Sequence, residues 1–431
     1  MTDKKMDITL KKVNKIEGII EVPADKSITH RAVMFSSIAQ GDSVIKNYLP
    51  SDDCLRTIDA FRQMGAEIKS IKDTLYIKGK GLKLVKPQNE VYCGNSGTTA
   101  RLLTGILCGQ DFETKLTGDP SLSKRPMQRV IEPLSQMGAD IKSNNGLLPL
   151  IIKGGTPKGI RYESGKSSAQ VKSAVILAGL YADGATTYIE PVKSRDHTER
   201  MLAAYGAEIK VDGNAVTVYP AEKLAANEIC VPGDISSAAF FIAAALIAPS
   251  SDLTVKNVGI NPTRDGIIEV LKKMGAQITL QNVKNVSDEP AADINVKYSK
   301  LKAVNIDASI IPRMIDEVPV FALIAAMAVG VTKITGAKEL RVKESDRITA
   351  VVSQLKKTGA QIEELEDGMI INGSPDFKPV GTTVESFQDH RIAMTLAVAS
   401  LAAAGDMTIK DADCVNISFP NFYELLKKVS K

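Results

Sequence analysis

A short phrase that recurs five times constrains the fold of this chain more than any other feature. In each copy a glycine–alanine pair ends an amphipathic stretch, and an acidic residue or glutamine followed by isoleucine comes next. The glycine is typical of the left-handed residue just past a helix C-terminus, and the alternating residues after it predict a β-strand. The copies are Met64-Gly65-Ala66, Met137-Gly138-Ala139, Tyr205-Gly206-Ala207, Met274-Gly275-Ala276 and Thr358-Gly359-Ala360.

A second, more uniformly apolar helix recurs between these phrases and opens with small polar residues. Six copies in 431 residues give a repeat of about 70 residues. Each repeat is predicted as apolar helix, strand, amphipathic helix and strand pair. The apolar helices begin near Ser27, Ser96, Ser168, Ser236, Asp316 and Asp389.

The incomplete sixth copy determines the predicted domain organisation. Phe419–Lys431 stops after its helix, and the alternating N-terminal segment Asp7–Val13 could supply the missing strand. Because the length exceeds what one hydrophobic core usually supports, we expect two domains of three repeats each. The predicted domains are a discontinuous one, residues 1–21 plus 233–431, and an inserted one, residues 22–232.

The composition excludes several classes of protein. A net charge of +4 is far from that of a dedicated nucleic-acid binder. The five cysteines form no CxxC pair, which argues against a disulfide framework or a zinc site and for a reducing compartment. Met1–Asp7 lacks the apolar core of a signal peptide, and apolar runs such as Ala238–Ala248 are too short to span a bilayer. We therefore expect a soluble, cytoplasmic protein.

Several of the apolar helices open with groups that suit an anion. Lys26, Ser27 and Arg31 would cluster at the first turn of one helix, where free N–H groups and the helix dipole favour negative charge. The stretches Cys93–Arg101 and Ser167–Lys172 likewise combine small polar residues with a cation near the start of a predicted helix. The alternative for each is an ordinary helix cap with solvated charges. Ser236-Ser237 has no accompanying cation, and there simple capping is the preferred interpretation.

Cationic phrases occupy matching positions in successive repeats. If the two domains face each other through their helix N-termini, these cations line one cleft that suits substrates carrying phosphates and carboxylates. Asp316 and Glu344 would then be the proton carriers. The alternative is a solvated, salt-bridged helix start. The cations are Lys26, Arg31, Arg125, Arg195, Lys343, Arg347 and Arg391.

The three histidines, His30, His197 and His390, fall inside these phrases without metal-ligand spacing. The sequence therefore predicts no metal site.

Taken together, the motifs resemble those of the 5-enolpyruvylshikimate-3-phosphate synthase family, also called 3-phosphoshikimate 1-carboxyvinyltransferases, over essentially the whole chain. The resemblance implies an α/β (α+β) fold of two similar domains, each with three βαβαββ repeats, whose helix N-termini face an interdomain cleft. The motifs that carry it are Asp25-Lys26-Ser27-Ile28-Thr29-His30-Arg31, Gly94-Asn95-Ser96-Gly97-Thr98, Arg125-Pro126-Met127, Lys343-Glu344-Ser345-Asp346-Arg347 and Asp389-His390-Arg391.

The resemblance also implies transfer of the enolpyruvyl group of phosphoenolpyruvate to shikimate 3-phosphate in aromatic amino-acid biosynthesis, without a cofactor. Asp316, Glu344 and Lys26 would be catalytic. The implied shikimate 3-phosphate site is Lys26, Ser27, Arg31, Ser168, Ala169, Gln170, Arg195, Asp316 and Lys343. The implied phosphoenolpyruvate site is Lys26, Gly97, Arg125, Gln170, Arg347 and Arg391.

Four phrases resemble the glyphosate-tolerant subgroup of the family. They are the Asn-Ser-Gly-Thr-Thr phrase, Ser168-Ala169-Gln170-Val171-Lys172, Arg195-Asp196-His197-Thr198-Glu199 and Asn261-Pro262-Thr263-Arg264. The chain departs from the family at Ala24, where many members have Gly, and at Ile417, where some members have a phosphoenolpyruvate-binding Lys.

Two other functions stay open at this stage. The sister enzyme UDP-N-acetylglucosamine enolpyruvyl transferase has the same repeat pattern, but its loop carries a reactive Cys where this chain has Pro120. A non-catalytic repeat module that binds anions or RNA would explain the cations, but not Asp316 and Glu344. We expect an enzyme of small-molecule substrates that binds no nucleic acid or membrane, and nothing demands more than a monomer.

Overall fold

A computed structural model describes residues 6–431, which fold into two compact units. We call these the discontinuous unit and the inserted unit. The discontinuous unit comprises the chain up to Pro23, Gly233–Lys284 and Pro290–Lys431, and the inserted unit comprises Ala24–Pro232 and Asn285–Glu289.

The limits of the two units differ from the predicted domain limits in two places. The structure changes unit after Pro23, and the short segment Asn285–Glu289 groups with the inserted unit, which the repeat pattern did not predict. The first five residues of the predicted discontinuous domain lie outside the described residues. They include most of Met1–Asp7, the segment on which the absence of a signal peptide is predicted.

The helices follow the predicted alternation of apolar and amphipathic segments. In chain order they are α1 (Lys26–Ile38), α2 (Asp52–Gln63), α3 (Gly97–Cys108), α4 (Gln128–Gln136), α5 (Ala169–Gly179), α6 (His197–Ala204), α7 (Ile235–Ile247), α8 (Gly266–Lys273), α9 (Ile311–Met314), α10 (Val318–Ala326), α11 (Arg347–Lys357), α12 (His390–Ser400) and α13 (Phe422–Val429). Short 3-10 helices cover Leu122–Lys124, Lys338–Val342 and Ala412–Ile417.

The strands are short and lie between these helices. In chain order they are β1 (Ile8–Leu10), β2 (Glu17–Glu21), β3 (Gln40–Lys46), β4 (Glu67–Ile71), β5 (Thr74–Lys80), β6 (Val91–Tyr92), β7 (Glu113–Thr117), β8 (Asp140–Asn144), β9 (Leu147–Lys153), β10 (Arg161–Glu163), β11 (Thr186–Ile189), β12 (Ile209–Asp212), β13 (Ala215–Val218), β14 (Glu228–Cys230), β15 (Asp252–Gly259), β16 (Gln277–Val286), β17 (Glu289–Lys297), β18 (Gly330–Ile334), β19 (Gln361–Leu365), β20 (Gly368–Gly373), β21 (Thr383–Glu385) and β22 (Met407–Lys410).

The inserted unit contains three four-stranded sheets of one topology. Their strand orders are β14-β3-β5-β4, β6-β7-β9-β8 and β10-β11-β13-β12. In each sheet the first two strands are parallel and the last two pairings are antiparallel. A parallel pair requires a crossover, which α3 provides between β6 and β7 and α5 provides between β10 and β11. The sheet that contains β3 takes its first strand, β14, from the far end of the unit.

The discontinuous unit repeats this plan with two strands supplied by the N-terminal segment. Its sheets have the orders β2-β15-β17-β16, β18-β20-β19 and β21-β22-β1. Strand β2 is parallel to β15, and β1 is antiparallel to β22, with Thr9 opposite Thr408. The N-terminal strand thus completes the sixth repeat, as predicted. The mixed α/β fold with three repeats in each unit is confirmed.

Each unit encloses three helices that are buried on nearly every side. These are α1, α3 and α5 in the inserted unit and α7, α10 and α12 in the discontinuous unit. The packing is close enough that a Cβ atom at Gly105 of α3 would lie 2.1 Å from the carbonyl oxygen of Ala174 in α5. The amphipathic helices cover the outside and bury one face only. The three enclosed helices of a unit consequently bring their first turns close together.

The five recurring glycines end five amphipathic helices in the same way. Each has a positive φ, from +85° at Gly138 to +96° at Gly359. The glycine N–H donates to the carbonyl three residues earlier, and the next N–H donates to the carbonyl five residues earlier, as in Ala66 to Phe61 at 3.0 Å. These two hydrogen bonds close the helix end, and the chain then turns into the following strand.

Among residues 6–431, no helix is both long enough and apolar enough to cross a membrane.

Candidate functional site

The first turn of α1 holds a cation and a hydroxyl beside a cap. The Asp25 side chain accepts from the Ile28 N–H at 2.8 Å, which satisfies a free donor of the helix end. The Lys26 ammonium lies 3.0 Å from Asp53 Oδ2, and both side chains are largely buried. Ser27 Oγ accepts from the Arg195 guanidinium at 3.0 Å. The structure therefore brings three predicted site residues together at one helix N-terminus.

Arg31 lies beneath this turn and is only 2% exposed. Its guanidinium donates to the hydroxyls of Thr198 and Ser173, at 2.7 and 2.8 Å, and to the Ser27 carbonyl at 3.0 Å. Ser173 belongs to α5 and Thr198 to α6, so Arg31 ties three helix starts together. The role of Arg31 as a ligand of shikimate 3-phosphate stays a prediction.

Burial and neighbouring cations change the titration of two groups on α1. Burial lowers the pKa of Arg31 to about 10, and the nearby Arg195 adds to the effect. Burial also holds the pKa of His30 well below its usual range, with Lys26 and Arg31 contributing. His30 Nδ1 pairs with Thr57 Oγ1 at 2.7 Å. A neutral, hydrogen-bonded His30 fits a structural role.

A second group of donors surrounds the start of α3. Ser96 caps the helix by accepting from the Thr99 N–H at 3.1 Å. A Cβ atom at Gly97 would lie 3.2 Å from a guanidinium nitrogen of Arg101 and 3.6 Å from one of Arg125. Gly97 thus keeps open a space bordered by two arginines. The glycine matters here because it has no side chain.

Hydrogen bonds fix both arginines beside Gly97. Arg125 donates to Asn95 Oδ1, and Arg101 donates to Gln170 Oε1 at 2.5 Å. Gln170 in turn donates to Thr98 Oγ1 at 3.0 Å. The predicted residues Gly97, Arg125 and Gln170 therefore lie in one cluster.

Arg101 was missed as a site residue, although it stands at the end of the quoted Cys93–Arg101 stretch. Its spacing of one helical turn from Gly97 was the available signal, because residues four apart share a helix face.

The predicted residues Ser168 and Ala169 begin α5, next to Gln170. Ser168 caps the helix by accepting from the Val171 N–H at 3.5 Å, and the Ala169 carbonyl accepts from Ser173 at 2.6 Å. Ser173 is also a partner of Arg31. The start of α5 thus lies between the α1 group and the α3 group.

In the discontinuous unit, one fully buried arginine organises the charged residues. Arg347 is 1% exposed and donates to Asp389 at 2.8 Å, to Glu344 at 2.6 Å and to Asp316 at 3.3 Å. Burial disfavours its charge, but these carboxylates dominate and raise its pKa. Arg347 therefore fixes the position of both predicted proton carriers.

Asp389 anchors this arrangement and caps α12. Its side chain accepts from the Arg391 N–H at 2.9 Å and from Ser345 Oγ at 2.9 Å. Burial would raise the pKa of Asp389, but Arg347 outweighs burial and the pKa is lowered. Asp389 was quoted in a motif but not predicted as a site residue.

Asp316 lies among three cations. Its Oδ1 is 3.8 Å from Lys343 Nζ, 3.3 Å from Arg347 and 3.8 Å from Arg391. Its main-chain carbonyl also accepts from Arg391 at 3.2 Å. All the predicted site residues of the discontinuous unit are thus within one cluster. Ile417, by contrast, packs against the hydrophobic core.

The interpretation of Ser236 as a simple cap was wrong. Asp234 caps α7 by accepting from the Ser236 N–H at 2.8 Å. Ser236 Oγ instead accepts from Arg264 at 2.7 Å and donates to Glu317. Burial raises the pKa of Glu317, although Arg264 opposes the shift. Residues 81 positions apart form this network, which local sequence cannot reveal.

Comparison with known proteins gives one consistent result. The family model described as EPSP synthase (3-phosphoshikimate 1-carboxyvinyltransferase) matches residues 10–426. A 3-phosphoshikimate 1-carboxyvinyltransferase of Endomicrobium trichonymphae is 69% identical over 430 residues, which cover 99% of this chain and 100% of that protein. One of Thermoanaerobacter sp. (strain X514) is 53% identical over 420 residues, covering 97% and 99%. A solved EPSP synthase from Acinetobacter baumannii has a TM-score of 0.88 and 44% identity, covering 98% of each chain.

The Asp389–Arg347 contact predicts a pH-dependent contribution to stability. Because the folded-state pKa of Asp389 lies below its ordinary value of 3.8, its stabilising effect is complete above that pH. The effect is lost as the pH falls through the folded-state pKa. We expect Asp389→Asn to lower the free energy of unfolding by about 3 kcal/mol at pH 7. This difference from the wild-type protein should shrink below pH ~4.

Urea unfolding of the wild-type and variant proteins between pH 2 and 7 measures this difference. Asp376→Asn is the matched control, because Asp376 is an exposed carboxylate of the same unit. A destabilisation by Asp389→Asn that stays constant down to the lowest pH would contradict the assignment.

Proposed function

The chain belongs to the EPSP synthase family, and we propose that it transfers the enolpyruvyl group of phosphoenolpyruvate to the 5-hydroxyl of shikimate 3-phosphate. The hydroxyl oxygen adds to C2 of phosphoenolpyruvate while the methylene carbon gains a proton. The tetrahedral intermediate then loses inorganic phosphate and a methyl proton, which gives 5-enolpyruvylshikimate 3-phosphate. This reaction is a step in aromatic amino-acid biosynthesis.

The cationic helix starts of the inserted unit support the binding of these anionic substrates. Arg125 and Arg101 border the open space at Gly97, and a planar guanidinium matches a carboxylate or phosphate in two contacts. We assign this space to phosphoenolpyruvate. Lys26, Ser27 and Arg195 at α1 suit shikimate 3-phosphate, and the backbone N–H groups of the same turn favour negative charge.

The carboxylates of the discontinuous unit support the proton-transfer steps. Asp316 is the proposed acceptor of the hydroxyl proton, because neighbouring cations favour the charged form of a carboxylate. Glu344, held by Arg347 at 2.6 Å, and Lys26 are the proposed proton carriers at the methylene carbon. The position of Asp316 among three cations is the observation that carries the proposal.

The same reasoning extends to partners and location. We propose a monomer that binds no nucleic acid or membrane and acts in the cytoplasm. All five cysteines are free, which suits a reducing compartment. The net charge of +4 is small for a nucleic-acid binder.

Phosphate release from phosphoenolpyruvate tests the function directly. We expect release when shikimate 3-phosphate is supplied and none when UDP-N-acetylglucosamine is supplied. Release only with the nucleotide sugar would keep the donor but overturn the acceptor. If a folded sample released no phosphate with either acceptor, the enzymatic proposal would be overturned.

Asp316→Asn tests the proposed base. Removing a positioned general base costs about 10²–10⁴-fold, so kcat should fall by at least about 10²-fold. Asp376→Asn, an exposed change of the same kind, should leave kcat unchanged. Turnover of Asp316→Asn within a few-fold of the wild-type rate would remove Asp316 from the mechanism.

We also propose tolerance of glyphosate, supported by the four phrases of the tolerant subgroup. Two of them meet in the structure, because Lys172 of one phrase pairs with Glu199 of another at 2.8 Å. We expect glyphosate to inhibit phosphate release only weakly while the affinity for phosphoenolpyruvate stays ordinary. Inhibition at low micromolar glyphosate would rule out tolerance.

A further inference from the structure

The inserted unit contains a buried charge cluster that the proposed mechanism does not use. Lys172 in α5 is 0% exposed, and its ammonium lies 2.8 Å from Glu190 and 2.8 Å from Glu199. Glu190 and Glu199 are 2% and 3% exposed. Burial alone would lower the pKa of Lys172, but the two glutamates outweigh it and raise the pKa. The lysine is therefore held in its charged form inside the protein.

This cluster holds the loop between β11 and α6 through hydrogen bonds to one residue, Ser194. The Ser194 N–H donates to Glu190 Oε1 at 2.8 Å, and its hydroxyl donates to Glu190 Oε2 at 2.6 Å. The Ser194 carbonyl accepts from the Lys172 ammonium at 3.2 Å. Every polar group of Ser194 is thus bound by the Lys172–Glu190 pair.

A second contact fastens the same loop to the residues before α5. Ser167 Oγ donates to the Val192 carbonyl at 2.5 Å and accepts from the Val192 N–H at 3.0 Å. The proposed substrate-binding residues Ser168, Ala169 and Gln170 lie between Ser167 and Lys172 in the chain. The loop and the start of α5 are therefore joined on both sides of these residues.

The residue directly after Ser194 is Arg195, whose guanidinium donates to Ser27 Oγ at 3.0 Å. We infer that the buried Lys172–Glu190 pair is a positioning device, which fixes Arg195 against the start of α1 and so sets the affinity for the phosphate-bearing acceptor. This inference rests on the proposed function, because it assigns Arg195 to shikimate 3-phosphate. Lys172 and Glu190 themselves touch no reacting atom in this scheme.

Energetic reasoning favours positioning over simple stabilisation. Well-packed apolar side chains of similar volume are often as stabilising as a buried ion pair, or more so. What an ion pair adds is directional hydrogen bonding, and here those bonds go to the residue before Arg195. A long, flexible arginine side chain loses less freedom on binding when its backbone is already fixed.

Glu190→Leu tests the inference, because it removes both acceptors of Ser194 and leaves Lys172 paired with Glu199. We expect the KM for shikimate 3-phosphate to rise about tenfold, with the KM for phosphoenolpyruvate unchanged. The dissociation constant of shikimate 3-phosphate, measured by calorimetry without phosphoenolpyruvate, should rise by the same factor. Glu190→Gln retains hydrogen-bonding groups toward Ser194 and should restore most of the affinity.

A double-mutant cycle distinguishes positioning from general damage. In an Arg195→Ala background, Glu190→Leu should have no further effect on the affinity for shikimate 3-phosphate, because its effect acts through Arg195. Ser194→Ala, which removes one hydroxyl contact, should weaken binding in the same direction and carries the test if Glu190→Leu does not fold. Ser135→Ala, an exposed change on α4, is the control for this variant.

The outcomes separate the two proposals. Folded variants that bind shikimate 3-phosphate with wild-type affinity overturn the positioning role, as do effects of Glu190→Leu and Arg195→Ala that simply add. Failure of the wild-type protein to release phosphate overturns the proposed function itself, and the same assay shows this before any variant is made.

Discussion

The structure depends on a constraint at the N-termini of its enclosed helices. A helix buried on all sides still has free backbone N–H groups in its first turn, and burying them without partners is costly. Side chains meet part of this demand, as Asp25, Ser96 and Asp389 do when they cap their helices. The first turns of three such helices meet in each unit, so each unit concentrates polar groups at one place. The candidate site residues lie at those places.

The two units meet the constraint with different chemistry. In the inserted unit, Arg31 donates to the Thr198 hydroxyl and Arg101 donates to the Gln170 side-chain carbonyl, and both of these acceptors are neutral. In the discontinuous unit, Arg347 is surrounded by carboxylates, and its charge is largely compensated. The first arrangement suits the binding of phosphates and carboxylates, and the second suits holding acids and bases in fixed positions.

Periodic features of the sequence predicted the fold well, because they arise from local physics. The glycine after each amphipathic helix is required by a positive φ, and it marked five helix ends correctly. The incomplete sixth repeat also predicted the role of β1. The grouping of Asn285–Glu289 with the inserted unit was not predictable in this way. That segment is the tip of the β16–β17 hairpin, and distant partners such as His197, which pairs with Glu289 at 2.6 Å, decide its place.

A site residue could be predicted from the sequence where its type and its place in a motif identify it. It could not be predicted where its role depends on a contact with a distant residue. Lys26, Asp316 and Arg347 could be chosen from their phrases. The roles of Ser194 and Glu190 could not, because each depends on a contact with Lys172, which lies on another element. Arg101 is an intermediate case, since its spacing from Gly97 was visible but its contact with Gln170 was not.

The pairing of the N-terminal strands has a consequence for the order in which the protein can form on the ribosome. Strand β1 pairs through Thr9 with Thr408, which is 399 residues away, and β2 pairs with β15 beyond the whole inserted segment. The inserted segment, by contrast, contains its own closing strand, because β14 pairs with β3. Since chains emerge from the N-terminus, Ala24–Pro232 can reach its folded topology while β1 and β2 still have no partners. Strand β2 gains its partner once β15 has emerged, whereas β1 stays unpaired until β22 is made near the end of translation.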